Sequence, residues 1–114
     1  VHGLGHVFSL LYDIPHGATL SAVYPAWLKH IAARDSKRIV EFGKAVFGAA
    51  GVNQTIDNTI QMFRSFLSPT NLAELKIENY NVKNVLDAMI KSEVSGYNYT
   101  QNEQDYKSIL NLMK

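Results

Sequence analysis

Apolar side chains recur along this chain at spacings of three and four, and no stretch alternates in the manner of a strand. That periodicity narrows the fold more than any other feature. A repeat near 3.6 buries one stripe of a helix, whereas a half-buried strand needs a repeat of two. Leu4, Phe8 and Leu11 form the first stripe, widened by Val7 and Leu10. The pattern predicts a helix from the first residues to about Tyr12. It has no visible N-cap, since no Ser, Thr, Asp or Asn precedes its first turn. Asp13-Ile14-Pro15 ends it, because proline disfavours helical geometry in the residue before it.

A second helix is expected from about His16 to Ala32, with Leu20, Val23, Trp27, Leu28 and Ile31 inward. Pro25 lies inside it, removes one backbone hydrogen bond and should kink it. Ser36 is placed to cap a third helix with Ile39, Val40, Phe42, Val46 and Phe47 as its face. Gly48-Ala49-Ala50-Gly51 stops it. Asn53 or Thr55 opens a fourth, with Ile56, Ile60, Phe63 and Phe66 inward, ending near Leu67 before Ser68-Pro69. Thr70-Asn71 can cap a short turn through Leu72 and Leu75. Asn79 or Asn81 precedes a longer helix that buries Val82, Val85, Leu86 and Met89. Thr100 and Glu103 have capping-box spacing ahead of a last helix from about Asn102 to Met113. The expected fold is all-α: one domain over residues 1–114, a bundle of about five to six helices.

Composition closes off several functions. The formal charge is +1, from 11 basic and 10 acidic residues. That balance lacks the basic face of a nucleic-acid binder. Cysteine is absent, which excludes disulfides, thiolate metal sites and a cysteine nucleophile. No apolar run approaches the roughly 18 residues of a membrane span, and the first residues do not pattern as a signal peptide. A cytoplasmic protein is the expectation. The chain starts on Val1 rather than Met, in mid-helix, and that start is expected of a fragment.

Three of the four histidines fall in the first sixteen residues. His2 and His6 share one face of the first helix. The proline turn can fold His16 back beside them. Imidazoles that converge in this way can hold a divalent metal, although the same spacing also arises among surface histidines. The intervening Gly3-Leu4-Gly5 supplies no acid or base, so the zinc-protease helix, which needs a glutamate between its histidines, is not matched. Two glycines in one turn each weaken a helix by roughly 1 kcal/mol, a weakness tolerated where a ligand or a second backbone must come close. His30, near the end of the second helix, is expected on the surface.

The stretch His2-Gly-Leu-Gly-His6, continued by Tyr12-Asp-Ile-Pro-His16-Gly17-Ala18, resembles the iron-containing (group III) alcohol dehydrogenases. Ala22-Val-Tyr-Pro-Ala-Trp-Leu-Lys29 is most similar to their butanol-dehydrogenase branch. Phe66-Leu-Ser-Pro-Thr-Asn-Leu-Ala-Glu-Leu-Lys-Ile77 resembles a further family segment, from which Leu67-Ser68 and Lys76 depart. After about Asn79 the likeness is generic.

The resemblance implies a two-domain enzyme, of which this chain is part of the C-terminal helical, metal-binding domain. The N-terminal α/β domain, which binds the nicotinamide cofactor, would be absent. It implies His2 and His16 as metal ligands for Fe²⁺ or Zn²⁺, with an aspartate and another histidine supplied by an earlier helix. It implies a catalytic and cofactor-side role for His6, beside the NAD(P)H nicotinamide, in proton relay or orientation. The implied reaction interconverts a small-molecule alcohol and its aldehyde by hydride transfer. The chain alone is then expected to be inactive, to bind metal weakly, and to self-associate as a homo-oligomer through apolar surface left uncovered. No nucleic-acid or membrane partner is expected. The rival expectation is a free-standing helical binding or assembly module without catalysis.

Overall fold

A computed structural model describes residues 1–114. It contains seven α-helices and no strands: α1 (His2–Tyr12), α2 (His16–Ala32), α3 (Ser36–Phe47), α4 (Val52–Ser65), α5 (Leu72–Leu75), α6 (Val82–Lys91) and α7 (Glu103–Leu112). The all-α expectation holds, with the four-residue α5 standing where a capped short turn was anticipated.

α2 is the central element, and it carries a core on each side. One core joins Leu4, Val7 and Phe8 of α1 to Ala22, Val23 and Ala26 of α2, Val85 and Met89 of α6, and Ile109, Leu110 and Met113 at α7. The other joins Leu28 of α2 to Ile39 of α3 and Ile56 of α4. α2 runs without interruption through the buried Pro25. Its N-terminal half is tied to the segment before α5, where the Ser21 hydroxyl donates to the Pro69 carbonyl at 2.6 Å.

The local signals acted where they were read, with some shifts of position. Asp13 takes a left-handed conformation at φ 52, and its amide donates to the Ser9 carbonyl, closing α1 before Pro15. Gly48, at φ 64, closes α3 in the same way. Of the alternatives for α6, Asn81 is the cap, its side chain accepting from the Asn84 amide. Three caps differ from expectation. Asp35 rather than Ser36 precedes α3, and Gly51 rather than Asn53 or Thr55 precedes α4. The capping box at α7 pairs Asn102 with Asp105, not Thr100 with Glu103.

Several apolar residues assigned to buried faces lie outside. Val46 and Val82 are 56% and 54% exposed, and Leu10, Leu11, Val40 and Phe66 are exposed as well. For α3 the reason is visible: Gly43 abuts Thr55 so closely that the α3–α4 seam runs along Ile39 and Gly43, leaving Val40 and Val46 to solvent.

Candidate metal centre

The tight turn at Asp13-Ile14-Pro15 lays α1 and α2 side by side. The crossing is close because of Gly5: a Cβ there would stand 2.8 Å from the Thr19 hydroxyl and 3.3 Å from Leu20 Cδ2. Thr19 is fully buried and donates its hydroxyl to the His16 carbonyl at 2.7 Å, fixing the first turn of α2. The first turns of both helices therefore share one end of the bundle, and their histidines meet there.

His2, His6 and His16 form a single cluster, with one nitrogen from each lying within 4.8 Å of the others. Nε2 of His16 is 3.2 Å from Nδ1 of His2. The His6 ring centroid lies 4.5 Å from that of His16 and 6.2 Å from that of His2. His2 and His6 are exposed, and His16 is half-buried. Burial first, then the neighbouring His6 and His2 rings, hold the His16 imidazole below its ordinary pKa. That favours the neutral ring, the form in which imidazole acts as a ligand.

The donor set fits a divalent cation of intermediate softness. Two nitrogens bound at about 2.0–2.1 Å to a tetrahedral ion lie roughly 3.3 Å apart, which is the spacing of the His2–His16 pair. Nδ1 of His16 is buried with no hydrogen-bond partner. The ring's one side-chain hydrogen-bond contact is the one its Nε2 makes with Nδ1 of His2, so the partner nitrogen of the pair is the same one that would share a cation with it. The cluster contains imidazoles only, so a bound cation would take further ligands from elsewhere.

Two grooves flank the cluster. One, of about 450 Å³, opens at His2 and is lined by Leu20, Tyr24, Phe63 and Phe66. The other, of about 370 Å³, opens at His6 and runs between α1 and residues Ser92–Ser95. The sequence signalled neither, because one wall of each comes from far along the chain: Phe63 and Phe66 for the groove at His2, and the 92–95 turn for the groove at His6.

His30 is not a surface residue. Its ring is half-buried between α2 and α7, with Nε2 at 2.9 Å from Asp105 Oδ1 and Nδ1 at 3.1 Å from Ser108 Oγ. It lies apart from the cluster and serves packing.

The description "Fe-containing alcohol dehydrogenase family, C-terminal" belongs to the family model that matches residues 1–114. The chain is 26% identical over 117 residues to a probable NADH-dependent butanol dehydrogenase 1 of Bacillus subtilis, covering 96% of this chain and 30% of that protein. It is 32% identical over 103 residues to NADH-dependent butanol dehydrogenase B of Clostridium acetobutylicum, covering 82% of this chain and 25% of that protein. The crystal structure of NADH-dependent butanol dehydrogenase A from Thermotoga maritima matches with a TM-score of 0.85 at 26% identity, over 98% of this chain and 32% of that one. The chain thus spans 30% or less of these two curated relatives.

Proposed function

The chain belongs to the Fe-containing alcohol dehydrogenase family as its C-terminal helical part, and we propose that it is the metal-holding portion of a longer enzyme that interconverts primary alcohols and aldehydes with NAD(P)H. The observation that carries this reading is the convergence of His2, His6 and His16 at one end of the α1–α2 pair.

In this reading His2 and His16, whose facing nitrogens already have the spacing of two ligands on one ion, hold Fe²⁺ or Zn²⁺. A divalent cation bound there supplies Lewis acidity, which makes an alcohol hydroxyl easier to deprotonate. His6 does the proton work. Its ring is exposed, sits against His16 and faces an open groove, so an alcohol hydroxyl at the centre lies within its reach. An imidazole placed there can accept that proton and pass it to water. The remaining ligands and the nicotinamide site belong to the part of the enzyme outside these residues, and cytoplasmic location and homo-oligomer formation complete the proposal. No helix of the chain is long and apolar enough to cross a membrane, which agrees with a small-molecule enzyme.

The test separates the three histidines. In the full-length protein, His2→Ala and His16→Ala should each lower bound metal and abolish alcohol-dependent NAD(P)H formation. His6→Ala should keep the metal and lower kcat by about 100-fold or more, the usual range for a lost acid–base group. The 114-residue chain alone should show no turnover. Turnover by the chain alone, or full metal content in His2→Ala and His16→Ala, would reject the reading.

A further inference from the structure

The exposed stripe of α1 that carries His2 and His6 continues, four residues on, to Leu10. This leucine is 78% exposed, yet it lines the groove at His6 together with Gly3 and Val7. The opposite wall is the Ser92–Ser95 turn, and it is rigidly held. Glu93 turns the chain at φ 48. The Val94 amide donates to the Met89 carbonyl, and the Tyr106 hydroxyl donates to the Val94 carbonyl. The Val94 side chain abuts α1 so closely that a Cβ on Gly3 would stand 2.9 Å from its Cγ1. The groove is therefore built into the fold, with His6 at one point along it and Leu10 one helical turn further.

We propose that this groove takes the alkyl chain of the substrate alcohol and that Leu10 sets how long the chain can be. The inference rests on the dehydrogenase reading, in which His6 faces the reacting hydroxyl. One helical turn places Leu10 about 6 Å along the axis from His6, the reach of a short alkyl chain. The other groove opens at His2 and is not lined by His6, the residue that in this reading takes the hydroxyl proton.

Because Leu10 is exposed, replacing it leaves the core intact. In the metal-loaded full-length enzyme, kcat/KM would be measured for butanol and for octanol. Leu10→Ala should raise the octanol-to-butanol ratio by about 10-fold or more, and Leu10→Phe should lower it, as expected when a wall gains or loses methylene-sized groups. Phe66→Ala, on the other groove, should leave the ratio unchanged. Unchanged ratios in both Leu10 variants of an active enzyme, or a shift in Phe66→Ala instead, would overturn the assignment. A parent enzyme that turns over no alcohol would overturn the dehydrogenase reading itself.

Discussion

Nε2 of His30 lies 2.9 Å from Oδ1 of Asp105, across 75 residues of sequence. The same oxygen accepts from Arg34 at 2.6 Å, while Oδ2 accepts from the Asn102 amide at 2.7 Å. One carboxylate thus caps α7 and pins that helix to α2. Burial alone would raise the Asp105 carboxyl, but the Asn102 amide, His30 and Arg34 outweigh it and hold the pKa below the usual carboxylate value. A depressed folded-state pKa means the proton binds more tightly in the unfolded chain. The stabilisation is complete above the unfolded value, about 3.9, and is lost as pH falls through the folded one. Melting followed by circular dichroism should therefore show stability falling on acidification below about pH 4. Asp105→Asn should cost about 2 kcal/mol at neutral pH and flatten that acid limb. The slope that remains is expected from Glu74, whose carboxyl is held down first by the Thr70 amide. An acid limb as steep in Asp105→Asn as in the parent would count against this account.

A second prediction concerns the α3–α4 seam. A methyl added at Gly43 would overlap the side chain of Thr55. Thr55 is fully buried, and its hydroxyl is engaged with the Gly51 carbonyl at 2.7 Å, so it has nowhere to move. Gly43→Ala should destabilise the chain by about 1–3 kcal/mol, the usual cost of overpacking. Gly17→Ala is the matching control. Gly17 is the second residue of α2, and nothing lies within 4 Å of its added Cβ. That change should be neutral or stabilising by up to about 1 kcal/mol, since alanine is the better helix former. Equal melting temperatures for the two variants would refute the seam as described.

These examples also show what was legible in the sequence. Helix ends were readable because they are local: Pro15 and Gly48 as stops and Asn81 as a start act on their own few residues. Helix faces were partly readable. Periodicity marks a stripe, but only the partner decides its width, and Gly43 against Thr55 narrowed the α3 face past Val40 and Val46. The His2–His6–His16 cluster was legible because one short turn brings its members together. His30 was misjudged because its partners, Asp105 and Ser108, come from α7. The groove beside His6 was invisible for the same reason, since half of it arrives with the 92–95 turn. Contacts across long separations have no local signature.

The metal prediction follows from linkage. A cation that binds the folded cluster better than the unfolded chain stabilises the fold, by about 2.7 kcal/mol at 100 times its Kd. Zn²⁺ should raise the melting temperature of the 114-residue chain in a concentration-dependent way. His2→Ala and His16→Ala should each remove that shift, because their nitrogens form the 3.2 Å pair. His6→Ala should retain most of it. The same Zn²⁺ shift in all three variants would show that the ion binds elsewhere.

The last prediction separates the site from the fold. Gly5 lies at the α1–α2 crossing, where an added Cβ would meet the Thr19 hydroxyl at 2.8 Å. Thr19 is fully buried and bonded to the His16 carbonyl, so it cannot yield without disturbing the first turn of α2. In Gly5→Ala the two helices must move apart at the end of the bundle where the histidines meet. The His2–His16 spacing should widen beyond what one ion can bridge, while the cores beneath, around Phe8 and Val23 on one side and Leu28 on the other, remain packed. Gly5→Ala should therefore lose the Zn²⁺-dependent melting shift while its metal-free stability falls by only about 1–3 kcal/mol. Gly3→Ala offers the comparison, since its added Cβ meets Val94 Cγ1 at 2.9 Å, on the 92–95 turn rather than on α2. It should keep the Zn²⁺ shift. If Gly5→Ala bound Zn²⁺ as the parent does, the close crossing would not be what sets the histidine geometry.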